Sequence, residues 1–438
     1  MTVRSPWLRA VPALLRRDHA FRWFWAGQTV SAMGSEVTSL ALPLTAIVTL
    51  HASPVQVGAL GAAGTLAPLL LALPAGVWVD RVRRRRLLAV VSAGSAAVLL
   101  SVPAAAWIGR LGLPQLYVVA FLAAACAVIG AIARSSYLPS MVAPHRLVEA
   151  NGLLTASESA AQVAGPGLGG VLVQALSAPG AILADAVSFL LAAGSLAFMR
   201  APEARPAPSR AGLRADIGEG LRFVARNPIL RALVATLGIF IFFDSVLLAV
   251  YLLYLSRTLH LSAGIIGLVF GLAGFGGLLA AIVVVPITRR FGAGRAIFGG
   301  LVLASAGEVL IAGAAGPVLL AVAVLLAAEG LVEMGANLYA INAAGLRATI
   351  TPESMLGRVV ATTHLISSGM ATAGWLLGGV LGETVGLRPT VLIAGLGTLL
   401  CLPWAAASPL RTLRSTGPEA GAPPVTHQVG EPLSPGSY

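Results

Sequence analysis

Gly76-Val77-Trp78-Val79-Asp80-Arg81-Val82-Arg83-Arg84-Arg85 decides how this chain is read, because it changes character within one helical turn. Before it, residues from about 55 onward carry no charge, and a second apolar run begins at Leu87. A stretch of roughly 20 apolar residues is long enough to cross the hydrocarbon core of a bilayer. Arginines crowded into so short a connection belong where a loop meets the cytoplasmic face of a membrane. The segment therefore reads as the turn between two membrane spans. Gly76 would let helices approach closely, and Asp80 ends a span where its charge can pair with arginine or face a helix N-terminus.

The rest of the chain extends this reading. Of 438 residues, 57% are hydrophobic and 11% charged, where a soluble domain carries about 25% charged. A chain so apolar needs lipid as solvent. The net charge of +12 comes entirely from arginine, in short runs between apolar stretches. That is the pattern of membrane topology and not of a nucleic-acid surface. The 50 glycines suit close helix packing in a membrane. Cys126 and Cys401 both fall in apolar segments, which argues against a disulfide framework or a metal site. The first apolar stretch is long, contains Glu36 and leads into further spans, unlike a removable signal peptide.

Twelve spans are expected, at about 22–48, 55–79, 87–108, 114–136, 152–175, 179–199, 232–255, 262–287, 296–314, 317–340, 360–383 and 388–408. This divides the chain into a cytoplasmic segment 1–20, a six-helix bundle 21–199, a linker 200–231, a second bundle 232–408 and a disordered Pro-rich tail 409–438. In the linker, Leu213, Ile217, Leu221 and Val224 recur at helical spacing among charges, as in an amphipathic helix on a membrane surface. With the N-terminus inside, Arg81–Arg86, Arg200–Arg231, Arg289, Arg290, Arg295, Arg411 and Arg414 are cytoplasmic, and only Arg110, Arg257 and Arg388 are outside. Both termini are then cytoplasmic, in the inner membrane of the cell.

The halves repeat. Leu168-Gly169-Gly170-Val171-Leu172 returns as Leu377-Gly378-Gly379-Val380-Leu381, an offset of 209 (377 − 168), and Asp80-Arg81 stands opposite Arg289-Arg290 at the same offset. Ala143-Pro144 answers to Thr351-Pro352 one residue short of it. Six plus six helices in parallel repeats is the plan of one large transporter class.

With these residues in hand, the chain from about 20 to 408 resembles the major facilitator superfamily. Gly76 to Arg85 is similar to that family's G-x-x-x-D-R-x-G-R-R signature, with Arg83 in place of the second glycine. The resemblance implies an all-α membrane fold of twelve transmembrane helices, in two six-helix bundles related by a pseudo-two-fold axis along the membrane normal. It also implies a cytoplasmic latch built from Gly76, Asp80, Arg81, Arg84 and Arg85. Ala161 to Gly170 resembles the antiporter motif of drug exporters, G-x-x-x-G-P-x-x-G-G, carried here by Gly165, Pro166, Gly169 and Gly170. Phe21–Gln28, Glu149–Gly152 and Asp185–Leu190 are similar to the macrolide-efflux and enterobactin-exporter branch. A fourth-helix arginine motif of the drug antiporters is not recognisable, since Arg134 lies too near the cytoplasmic end.

Seven acids fall within the spans: Glu36, Glu158, Asp185, Asp244, Glu308, Glu329 and Glu333. Each costs roughly 2.5–3.5 kcal/mol on insertion scales, so each should face a cavity or a partner. The resemblance places helices 1, 4, 7 and 10 around a central cavity. That points to Glu36, Asp244, Glu329 and Glu333 as proton-coupling and substrate-cavity residues. Gln28, Ser31, Ser35 and Thr38 add a polar stripe on the first helix. Asp185 and Glu308, on peripheral helices, read as packing acids, and Glu158 as structural.

The expected function is export of an amphipathic small molecule (a drug, siderophore or secondary metabolite) by proton-coupled antiport and alternating access. A same-fold uptake symporter, a lysolipid carrier and a transport-inactive membrane sensor or assembly partner are the alternatives. The expected partners are the small-molecule substrate, protons and the lipid bilayer, with no nucleic acid, no cofactor and no metal, and a monomeric chain. No nucleophile with a base, no metal-ligand cluster and no phosphate-binding loop supports an enzyme or an ATP-driven pump.

Overall fold

A computed structural model describes residues 13–79, 81–199 and 213–409. Asp80, the opening of the central linker and the Pro-rich tail from 410 on lie outside the described residues. Among the described residues, twelve helices build the two bundles: α1 His19–Leu44, α2 Pro54–Val79, α3 Arg84–Trp107, α4 Leu113–Met141, α5 Leu147–Leu176, α6 Ala178–Ala197, α7 Pro228–Leu253, α8 Ala263–Phe291, α9 Ala293–Ile311, α10 Val318–Ile350, α11 Glu353–Thr384 and α12 Leu387–Thr398. A short helix, Cys401–Ala407, continues α12.

Local chemistry sets the helix boundaries. Asp18 caps α1 by accepting from the Phe21 amide at 2.9 Å, and Asn227 caps α7 by accepting from Ile229 and Leu230 at 3.0 and 3.2 Å. Pro228 is the first residue of α7, where its missing N–H costs nothing, so that helix begins four residues before the expected 232. Gly292 and Gly386 turn the chain with φ of 85° and 95°, a conformation that favours glycine. The helices α4, α10 and α11 also outrun their apolar segments, because backbone hydrogen bonding continues past the last apolar residue into polar turns.

Among the described residues, eleven helices are long and apolar enough to cross a membrane. The other is α5, whose 30 residues include Asn151, Ser157, Glu158, Ser159 and Gln162. Its polarity has an internal destination. Trp25 of α1 donates to Ser157 at 2.9 Å, Arg134 of α4 pairs with Glu158 at 2.7 Å, and α5 packs between α1 and α8.

The two bundles are copies, and the offset of 209 read from the sequence holds in three dimensions. α1 and α7 each end in a π-helical turn, Thr45–Thr49 and Tyr254–Thr258, followed by His51 and His260 at φ of 51° and 53°. Ala52 N–H bonds the Ala46 carbonyl, and Leu261 N–H bonds the Leu255 carbonyl in the same way. Two seams join the bundles, α2 against α11 and α5 against α8. In the first, a Cβ on Gly379 would meet the Pro54 carbonyl at 2.9 Å and Gly58 Cα at 3.1 Å. In the second, a Cβ on Gly267 would meet Gly170 Cα at 2.8 Å. Gly58 and Gly267, like Gly170 and Gly379, are 209 apart, so one seam is the other rotated about the pseudo-two-fold axis.

Both seams lie at the end of the molecule that holds the two π-turns. There Arg257 bridges the halves, its Nη2 donating to Ile47 O at 3.3 Å and Ala52 O at 2.9 Å. Hydrogen bonds to a charged donor contribute about 1.5–3 kcal/mol each. The opposite end holds the linker helix Leu213–Arg226. The sequence laid this helix on the membrane surface. The structure also lodges it against protein: Gly220 abuts the Arg358 carbonyl of α11, Val224 is buried with Leu230 and Val359, and Glu219 pairs with Arg358 at 2.8 Å. Leu221 remains exposed.

Candidate functional site

On the linker side of the glycine seams the halves diverge around a cavity of about 700 Å³. Its polar lining comes from both repeats: Glu36 and Ser39 of α1, Ser159 and Gln162 of α5, Tyr251 of α7, and Glu333 and Asn337 of α10. Phe270, Leu252 and Trp375 supply apolar and aromatic surface. Polar and apolar surface line the cavity in similar measure, so it offers both kinds of contact.

Glu36 reaches this cavity because α5 gives way beneath it. A Cβ on Gly165 would collide with the Glu36 side chain, and one on Gly169 would meet Val37 Cα at 3.3 Å. Gly165 and Gly169 therefore set α1 against α5, while Gly170 serves the seam with α8 and Pro166 lines the cavity. The second repeat does the same with Gly374 and Gly378 against Ser245 and Val246 of α7. In that copy the acid is one residue earlier, at Asp244.

The C-terminal half gathers four carboxyls from three helices. Glu333 opens on the cavity and accepts from Asn337 Nδ2 at 3.2 Å. One turn along α10, Glu329 is buried beside the Tyr251 hydroxyl. Asp244 of α7 stands near both Glu333 and Glu308. Glu308 of α9 is 1% exposed, and neither of its carboxyl oxygens accepts a hydrogen bond of good geometry. Among the described residues, no arginine or histidine pairs with any of the four. Sequence reading set Glu308 aside as a packing acid, since α9 is peripheral, but the helix turns it inward to the others.

The polar stripe of α1 divides in two. Ser35 and Thr38 face a second, smaller cavity in the N-terminal half, Glu36 faces the central one, and Ser39 lines both. Successive helical residues are about 100° apart, so neighbours along one helix can serve different cavities. Ser31 is buried and Gln28 half-buried, and neither lines the central cavity as expected. Ser39, Ser159, Gln162, Asn337 and Trp375 were missed. Gln162 and Asn337 were visible as amides inside apolar runs, and Trp375 as the repeat mate of Pro166 (375 − 166 = 209).

Of the expected latch residues, the structure describes Gly76, Arg81, Arg84 and Arg85. A Cβ on Gly76 would meet nothing within 4 Å in this arrangement, where the linker side stands open. Arg84 Nη1 donates to the Ser136 carbonyl at 3.1 Å. Arg85 donates to the Leu196 and Ala197 carbonyls at 2.9 and 3.1 Å, at the C-terminus of α6 where the helix dipole favours a cation. Both tie α3 to its own bundle.

Residues 12–432 match the model of a family described as transmembrane secretion effector. The multidrug efflux pump Tap of Mycolicibacterium fortuitum is 29% identical over 382 residues, which covers 84% of this chain and 90% of that protein. A bacterial homologue of the iron transporter ferroportin superposes with a TM-score of 0.73 in its inward-facing state, at 19% identity, covering 90% of this chain and 99% of that one. The outward-facing state of that homologue gives 0.56 at 20% identity, covering 89% of this chain and 98% of the other.

Proposed function

The chain belongs to the transmembrane secretion effector family of major facilitator transporters, and on that premise we propose that it exports an amphipathic small molecule from the cell in exchange for protons, by alternating access. It is a multi-pass membrane transporter and not an enzyme. The observation that carries the finer reading is the central cavity itself. It lies between two pseudo-symmetric halves, is sealed by glycine seams at one end, and holds a carboxyl from each half, Glu36 and Glu333. A carrier that alternates needs two rocking bodies around one site, and residues 21–199 and 232–408 serve as those bodies. Efflux by Tap, which is similar along most of its length, favours export over uptake.

The carboxyls supply the coupling. Two like charges about 6 Å apart at an effective dielectric of about 20 repel by nearly 3 kcal/mol. Asp244, Glu308, Glu329 and Glu333 have no paired cation among the described residues, and on this reading the cluster takes up and releases the coupling protons. Glu333 then links the cluster to the substrate in the cavity. Inverted membrane vesicles with an imposed proton gradient test the reading, using a panel of amphipathic fluorescent dyes. Gradient-dependent accumulation is expected for at least one dye, collapsing when a protonophore is added. Accumulation indifferent to both the pH gradient and the membrane potential would remove proton antiport.

The arginine bias supports an orientation in the cytoplasmic membrane with both termini in the cytoplasm, and we propose that the chain acts there as a monomer. The linker-side opening is then the inward-facing state. Reporter fusions at Arg83, at Arg210 and after Arg414 should register as cytoplasmic, and residues near His51 and His260 should react with reagents added outside the cell. External labelling of the 200–231 loop would overturn this orientation.

A further inference from the structure

The second cavity, about 410 Å³, lies among α1, α2, α3, α4 and α6 of the N-terminal half, with Trp375 of α11 at its edge, and is separated from the central one by Ser39, Pro43 and Trp375, which line both. Its position has a counterpart. Ser35, Leu99, Ala120 and Ala124 line it, and 209 residues later stand Asp244, Glu308, Glu329 and Glu333. The repeat register through α3 and α4 is sound: Gly130 faces Val91 just as Tyr339, its mate, faces Gly300. The same positions of the fold therefore carry carboxyls in one half, and serine, leucine and alanine around an open cavity in the other.

One acid does reach the open region. Asp185 of α6, whose repeat mate is Ala394, lines the cavity at 1% exposure. Ser188 Oγ donates to it at 3.0 Å. The Thr38 hydroxyl, also at least nine-tenths buried, lines the cavity beside it without a hydrogen bond of good geometry. Among the described residues, no arginine or histidine pairs with Asp185. A carboxylate buried without a cation costs several kcal/mol, and space for a cation lies next to it.

We propose that this cavity is a binding site for an amphipathic organic monocation, with its ammonium on Asp185 and its apolar body along Leu60, Leu99 and Phe189. An inorganic cation would satisfy the acid but leave these walls empty. A neutral molecule would fill the walls and leave the acid unpaired. The Phe189 and Trp375 rings add faces toward which an ammonium is drawn. The volume falls in the range of roughly 300–1,000 Å³ common for small-molecule sites. The site rests on the transport reading only for its use, as a station beside the central cavity; occupancy itself needs no gradient.

The test is equilibrium binding to the full chain in lipid nanodiscs, with 4-phenylbutylammonium and its neutral analogue 4-phenylbutanol as probes and empty nanodiscs as blank. It is run in the Glu36→Gln/Glu333→Gln background, so that the central cavity offers no lining carboxylate. The ammonium is expected to bind at least tenfold more tightly than the alcohol. Asp185→Asn should bring the two within twofold of each other. Ala120→Leu leaves the charge in place but fills the cavity, and should weaken the ammonium at least tenfold. It also carries the test if Asp185→Asn does not fold. Ammonium binding unchanged within twofold in either folded variant overturns the proposal, as does equal binding of the two probes. A vesicle experiment showing no uphill export would leave these binding results standing, and loss of binding would leave the vesicle results standing.

Discussion

Gly379→Leu is expected to lower transport at least tenfold while leaving the protein folded and inserted, because it props open the sealed end of the cavity. The Cβ at 379 would stand against the Pro54 carbonyl and the Gly58 and Val55 Cα atoms, at 2.9–3.1 Å. These are backbone atoms of α2 that cannot rotate away, so the strain falls on the distance between α2 and α11. Overpacking of this kind costs about 1–3 kcal/mol. Paid only in the state that closes this end, it shifts the balance between states by roughly 5–150-fold. Gly170→Leu should do the same from the other seam, where the Cβ would meet the Ala263 carbonyl and Gly267 Cα at 2.5 and 2.9 Å. Gly357→Leu and Gly152→Leu are the controls on the same two helices, since a Cβ at either position meets nothing within 4 Å. A cysteine at Ser39, in the cavity, reports the shift. An impermeant thiol reagent added on the His51 side should label it at least tenfold faster in the seam variants. Unchanged labelling together with normal transport would mean that the seams are not the closure.

The sequence made the architecture legible because two signals were long and redundant. Apolar runs of span length fixed the number and order of helices, and the offset of 209 fixed how they pair. That offset, first read from Leu168–Leu172 and Leu377–Leu381, already contained both seams, since Gly170 and Gly379 lie within the matching strings. Their partners Gly58 and Gly267 stand in unremarkable apolar sequence, and only the packing reveals them. The site was less legible. That Glu36 and Glu333 would face a cavity follows from the cost of a charge in lipid, but which cavity depends on helix rotation. A turn of about 100° between Ser35 and Glu36 sends one side chain into the N-terminal bundle and the other between the halves. Glu308 was undervalued for a related reason, because a peripheral helix still has an inner face. For Gly76, a place in a motif says nothing about which atoms surround it, and here its Cβ position is open space.

Glu36→Gln and Glu333→Gln are expected to abolish uphill export while preserving downhill exchange of the same substrate. Glutamine keeps the shape of the side chain and its capacity for hydrogen bonding, so Asn337 can still donate to position 333, but it cannot release a proton. If these carboxyls couple the gradient to the cavity, each variant still binds and rocks, yet gains nothing from the proton gradient. Proteoliposomes loaded with substrate separate the outcomes. Accumulation against an imposed pH gradient should fall at least tenfold, whereas counterflow at equal pH should stay within about threefold of the unaltered protein. Glu329, buried behind Glu333 beside Tyr251, should resemble Glu333 in this assay if protons pass through the cluster. Its Gln variant should instead lose yield and thermal stability, with transport per folded molecule intact, if it only packs. The facing positions of Glu36 and Glu333 make the two single variants informative together. A carrier that couples through one half loses uphill export in one variant only. Loss in both means that proton release depends on the halves moving relative to each other, and full uphill export in both would sink a coupling role for the cavity carboxyls.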